Sequence, residues 1–234
     1  MGIMRRHSQQ SLPFPNGHGG RRPGAGRPRL SPVTLTEHRR RAEHDPRTPA
    51  HVTIRLFASR SLRTQPVLRT VRGVLRALRA RRTDLRITAF SLQHNHLHFI
   101  IEADSAAAFK SGLRSLCIRL ARRMNQNLGR RGTLFADRYH VTWLRSPRAV
   151  RNAYVYVLQN RRKHLAERGR HRGGLWFDEF SSADSFDGWR HAAPPFGRES
   201  ATAPPRTWLG RFGWRRHGLI SATEIPKHRA PAPR

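Results

Sequence analysis

Between residues 52 and 165 the spacing of apolar side chains switches repeatedly between two residues and about 3.6, and the order of the switches leaves few topologies open. Val52, Ile54 and Leu56 alternate with Thr53 and Arg55, which predicts a strand. Thr64 then stands as an N-cap with Pro66 inside the first turn. Val67, Val71, Val74, Leu75 and Leu78 follow at helical spacing, with Arg69, Arg72, Arg76 and Arg79 outside. Residues 85–93 and 96–103 read as second and third strands. Leu113, Leu116, Cys117, Leu120, Met124 and Leu128 mark a long amphipathic helix closed by Gly129. Residues 133–144 read as a fourth strand or extended segment, and a last helix runs from about Pro147 to Leu165. The order β-α-β-β-α-β-α predicts an α+β, ferredoxin-like antiparallel sheet with helices on one face, plus a C-terminal helix beyond that plan.

The flanks lack this periodicity. Residues 1–48 are rich in Gly, Pro, Arg and Ser and read as a disordered basic tail; 49–170 carries the periodic domain; 171–234 reads as a largely irregular extension, disordered from about 190. Trp208, Phe212 and Trp214 stand out there as a local docking patch. The 46 Lys and Arg against 14 Asp and Glu leave a net charge of +32, for which a phosphate backbone is the natural partner, although Arg-rich codon usage accounts for part of it. Cys117 is the one cysteine, which excludes a disulfide framework and a cysteine-based zinc site. No apolar run approaches the roughly 20 residues of a membrane helix, and no signal core follows Arg5, Arg6 and His7, so no membrane partner and a cytoplasmic, nucleoid-associated location are expected.

Two places carry chemistry. On a strand, His96 and His98 share a face while Leu97 points into the core, so both imidazoles are placed to hold a divalent metal through neutral nitrogens. The same spacing fits an exposed pair with no metal, in a chain of 14 histidines. His94 extends the alternation into the preceding loop. On the last helix, Val150, Tyr154, Val157, Leu158 and Leu165 form one stripe; Asn152, Tyr156, Gln159, Asn160 and Lys163 form the opposite one. Tyr154 is therefore expected in the core, and Tyr156 at a polar site with Asn160 one turn beyond. Arg161 falls in the apolar stripe, which predicts a bend or an end near it.

Together these elements resemble a known family. Asn95-His96-Leu97-His98 is similar to the His-hydrophobic-His (HUH) motif of the single-tyrosine transposases of bacterial insertion sequences. Phe135 to His140 (FADRYH) resembles that family's aromatic and arginine block, and Ser146 to Asn160 its closing motif, in which the catalytic tyrosine precedes an Asn by four positions. The likeness is greatest to the REP-associated tyrosine transposases and spans about 48–170. Where many relatives continue with Asn-Pro, Arg161 and Arg162 follow Asn160, which should extend the helix.

The resemblance implies a metal-dependent single-strand DNA endonuclease and strand transferase. Tyr156 would be the nucleophile; His96 and His98, with Asn160 as a third protein ligand, would hold Mg²⁺ or Mn²⁺; and a covalent 5′-phosphotyrosine would form at hairpin-associated sites. Single-stranded or hairpin DNA would be the partner, and the chain would act as a monomer or homodimer. Arg114, Arg122 and Arg123 would track the DNA backbone, and Arg138, Tyr139 and His140 would line the same groove, a strand-packing role fitting them equally well. Gly19 to Leu30 resembles an AT-hook with Gly26-Arg27-Pro28 as its core, which would place Arg27 in a minor groove; a basic tail without sequence preference fits equally well. A domesticated, non-catalytic hairpin binder or repressor, a replication or relaxase-like nickase, and a general RNA-binding protein are the competing readings.

Overall fold

The computed structural model describes residues 44–57, 61–170, 173–191 and 200–226. The AT-hook-like segment, including Arg27, lies outside them, as does nearly all of the basic tail. The elements run β1 (Ala50–Arg55), α1 (Gln65–Arg81), β2 (Leu85–Leu92), β3 (His96–Ala103), α2 (Ala106–Asn127), β4 (His140–Trp143), α3 (Pro147–Glu167) and a short α4 (Trp208–Arg211). Strand order is β2-β3-β1-β4, with every pair antiparallel. This is the α+β fold expected from the periodicity. The fourth strand is shorter than its pattern: only His140–Trp143 pairs with β1, while Leu134 fills the core and Phe135 makes a single bridge to Leu56.

Helices α2 and α3 each begin at a capping serine. The Ser105 hydroxyl accepts from Ala108 N at 3.0 Å and that of Ser146 from Ala149 N at 3.2 Å. Thr64 stands at the α1 N-cap without a side-chain bond, and Pro66 sets the first turn. After α2, Gly129 takes φ +59°, the left-handed stop a Cβ would strain. Helices α1 and α2 bury Val52, Ile54, Leu97, Phe99 and Ile101 on one face of the sheet; α3 packs on the other, over Ala89 and Ile100. No helix among the described residues is long and apolar enough to cross a membrane.

The C-terminal segment departs from the disorder its composition predicts. Edge strand β2 is covered by it: Leu92 N donates to Phe180 O, Ser182 N to Phe90 O and Ala203 N to Ile87 O. Asp178 takes a two-pronged bond from Arg63 (2.6 and 3.1 Å), Asp184 pairs with Arg72 at 2.7 Å, and Glu224 with Arg151 at 2.8 Å. Trp214, singled out as a docking residue, is 1% exposed and packs against Tyr154 and Phe186. A few acids and buried tryptophans decide the fate of this segment, and averages over Gly, Pro and Arg hide them.

Candidate active site

Register brings the site together. β1 pairs with β3 so that Thr53 faces His98, Arg55 faces His96 and His51 faces Ile100. His51, Thr53, His96 and His98 therefore share the α3 side of the sheet, and Leu97 points into the core as expected. The His96 and His98 rings lie 4.7 Å apart, edge to face. Above them, Tyr156 sits 5.2 Å from the His98 ring and 5.6 Å from that of His51. Lys163 Nζ is 5.6 Å from the Tyr156 ring centroid. Tyr154, two residues before, is 2% exposed, and its hydroxyl is spent on weak contacts to Thr88 (3.4 Å) and Gly210 (3.5 Å). Burial pushes its phenol upward, so it stays protonated. The helical stripe thus separates the two tyrosines as the sequence predicts.

His98 is held at one nitrogen and open at the other. Its Nδ1 lies 3.1 Å from both His51 Nε2 and Thr53 Oγ1, while its buried Nε2 has no hydrogen-bond partner. Burial lowers the basicity of all three imidazoles: His51 to about 4, His96 to about 4, and His98 well below its ordinary value. They are neutral at physiological pH, the form in which an imidazole donates a lone pair. His96 Nδ1 is 2.9 Å from Asn95 Oδ1, which fixes that ring through its other nitrogen.

Asn160 differs from expectation. It lies one turn beyond Tyr156 but is fully buried, and neither amide atom has a hydrogen-bond partner. Neighbouring polar positions of α3 are covered by the C-terminal segment: Gln159 donates to Ser221 O at 2.8 Å, and the guanidinium of buried Arg162 to Gly174 O and Trp176 O. The helix does not end at Arg161; it runs on to Glu167. No group of three His, Cys, Asp or Glu among the described residues is arranged to hold a metal ion. The chemistry present nevertheless fits a divalent ion: two neutral imidazoles, an orphaned His98 Nε2, and an orphaned amide that supplies an oxygen donor.

The predicted DNA-contacting residues are not at this site. Arg114, Arg122 and Arg123 line a groove of 1180 Å³ between α1 and α2, on the opposite side of the sheet, with Arg69 and Arg119. Arg138 and Tyr139 line a smaller cavity of 510 Å³ on that side with Ile54 and Phe135. Of these last three, only His140, paired with Thr53, shares the histidine face, while Tyr139 packs against the core. Sequence reasoning missed His51, passed over Thr53 as an outward position of β1, and missed His164, which lies close enough to depress both His96 and His98.

A family model described as "Transposase IS200 like" matches residues 47–160. Among solved structures, the chain is similar to a REP-associated tyrosine transposase bound to a REP hairpin, at 17% identity and a TM-score of 0.44, over 56% of this chain and 73% of that one. Comparison with the curated proteins brings no match.

Proposed function

Residues 47–160 belong to the IS200-like transposase family, and on that premise we propose that the chain cuts and rejoins single-stranded DNA at hairpin-associated sites through Tyr156. The observation that carries the reading is the Tyr156 ring standing 5.2 Å from His98, whose Nε2 is buried and unpartnered. Tyr156 Oη attacks the scissile phosphorus; its bond to phosphorus forms as the bond to the 3′-oxygen breaks. The phenolic proton passes to solvent, the departing 3′-oxygen takes one up, and a 5′-phosphotyrosine remains. Attack by another 3′-hydroxyl reverses the step, releases Tyr156 and joins the strands, so no high-energy cofactor is consumed. Lys163 places a positive charge beside the nucleophile, 5.6 Å from its ring, which favours the approach of a phosphate.

His96, His98 and the Asn160 amide oxygen would hold a divalent ion, Mg²⁺ or Mn²⁺, the imidazoles favouring Mn²⁺. When bound, such an ion would supply Lewis-acid polarisation of a phosphate and offset negative charge in the transition state. Thr53 and His51, both on His98 Nδ1, orient that ring and keep its other nitrogen toward the site. Arg114, Arg122, Arg123 and Arg138 bind the DNA backbone away from the chemistry, and Arg27 in the N-terminal tail adds a further contact.

Incubation with Mn²⁺ and labelled hairpin DNA bearing single-stranded flanks tests this. The wild type should yield a denaturation-resistant adduct. Tyr156→Phe should abolish it with hairpin affinity retained. His96→Ala and His98→Ala should slow adduct formation about a thousandfold, the several kcal/mol that loss of a Lewis acid costs. A wild type that forms no adduct on any hairpin sinks the enzyme reading and leaves a domesticated hairpin binder or repressor.

A further inference from the structure

Helix α4 and the turn after it lie beyond the family match and hold two aromatic rings half in water. Trp208 is 49% and Phe212 54% exposed, one helical turn apart. Each carries a guanidinium: Arg216 lies 4.9 Å from the Trp208 ring centroid and Arg211 4.8 Å from that of Phe212. Between residues 200 and 223 the sequence holds Arg206, Arg211, Arg215 and Arg216 and no acid. The turn is fixed from beneath. The buried Glu102 carboxylate accepts from Arg206 N (2.7 Å), Thr207 N (3.2 Å) and Thr207 Oγ1 (2.7 Å). Thr207 Oγ1 accepts from Gly210 N at 3.0 Å, and Trp214 Nε1 donates to Gly210 O at 3.0 Å. Gly213 lies against the Trp208 ring, where a Cβ would collide at 2.6 Å. The fold's need for an apolar anchor is met by Trp214, so it does not account for the two exposed rings.

We infer that Trp208 and Phe212 form a base-stacking platform for a single-stranded DNA segment, with Arg211 and Arg216 on its phosphates. Two π-faces with interleaved guanidiniums fit bases and backbone at once; an acidic peptide would use the cations and leave the rings without a partner. Trp214 packs 5.5 Å from Tyr154, so the platform is rigidly tied to the helix that bears Tyr156. The inference rests on single-stranded DNA being the substrate.

The test is binding of the full-length protein to an oligothymidylate and to the same backbone with abasic nucleotides, at one salt concentration. Trp208→Ala and Phe212→Ala each should weaken oligothymidylate binding about tenfold, the typical cost of one lost stack, and abasic binding much less. Trp208→Phe should restore most of it, which separates stacking from a folding defect. Arg211→Ala and Arg216→Ala should weaken both ligands alike and flatten the salt dependence. Wild-type affinity in the double aromatic variant overturns the platform. So does self-association of the wild type that the variant abolishes, which would make the patch an interface between copies. Stacking losses in a protein that forms no Tyr156 adduct would uphold the platform and remove only the chemistry.

Discussion

On the α3 face of the sheet, His51, His96 and His98 are gathered and burial keeps them neutral, whereas on the α1/α2 face arginines line an open groove that contains no acid. Both faces belong to the same four strands, and the difference follows from what covers them. Helix α3 lies over the histidines, with Tyr156 against the His51 and His98 rings, and strips water from them, which suits groups that must offer lone pairs. Small residues such as Gly73, Ala77 and Ser111 keep the other groove open, with guanidiniums at its rim. Under the proposed function, chemistry falls to one face and strand capture to the other. The chain's basic character works in the same direction as burial: Arg55 and His164 beside His96, and His164 and Lys163 beside His98, lower these rings further.

The sharpest way to break this comparison is to remove charge from one face and look for damage on the other. Replacing Arg114, Arg122 and Arg123 together by Ala should weaken hairpin binding tenfold or more. The log–log salt slope should fall by about two to three, since each phosphate contact contributes roughly 0.7–0.9. The rate of adduct formation at saturating DNA should stay within about twofold of wild type. A variant that binds normally but reacts slowly would show that the groove serves the chemistry, and the division of the faces would fail.

A smaller effect should appear in stability. His51 and His96 are lowered to about 4 in the fold by burial, against an ordinary value of 6.5. The unfolded chain therefore binds more protons between those values, and stability rises with pH across that window. It is fully present above about 6.5 and is lost as pH falls through about 4. Asp84 and Glu167 are also lowered, through hydrogen bonds from Arg82 and Lys163, but their titration lies below the ordinary carboxylate range. The slope above pH 5 thus belongs to the histidines. Thermal melts of metal-free protein should gain several degrees from pH 5 to 6.5, and His51→Gln should flatten that gain. An unchanged slope in that variant would mean that the imidazole is hydrated after all.

The order of elements was legible because each periodicity is a property of its own segment. His96, His98 and Tyr156 were legible for the same reason: strand alternation and a helical stripe place them without reference to the rest of the chain. His51 and Thr53 were not, since their nearness to His98 arises from the β1–β3 register, which no local pattern states. The burial of Asn160 was hidden likewise. A helical wheel gave it a polar face, whereas in the fold Asn160 is fully buried and its neighbours Gln159 and Arg162 are tied to Ser221 O and Gly174 O, long-range packing that no local pattern states. Fourth-strand length failed for a related reason, because an alternating pattern forms a ladder only where a partner strand runs beside it.

The smallest effect concerns the two tyrosines of α3, which sit on opposite sides of the helix. Tyr154→Phe removes a buried hydroxyl whose contacts, at 3.4 Å to Thr88 and 3.5 Å to Gly210, are at the long limit of hydrogen bonding. Its loss should cost about 1 kcal/mol or less, because a weak bond disappears and the ring still packs against Phe186 and Trp214. Adduct formation should be unchanged, since burial keeps that phenol protonated and away from any substrate. Denaturant melts and the adduct assay on the same preparation decide the matter. Should Tyr154→Phe abolish the adduct while Tyr156→Phe retains it, the nucleophile would be the buried Tyr154 and the assignment of chemistry to the histidine face would be withdrawn.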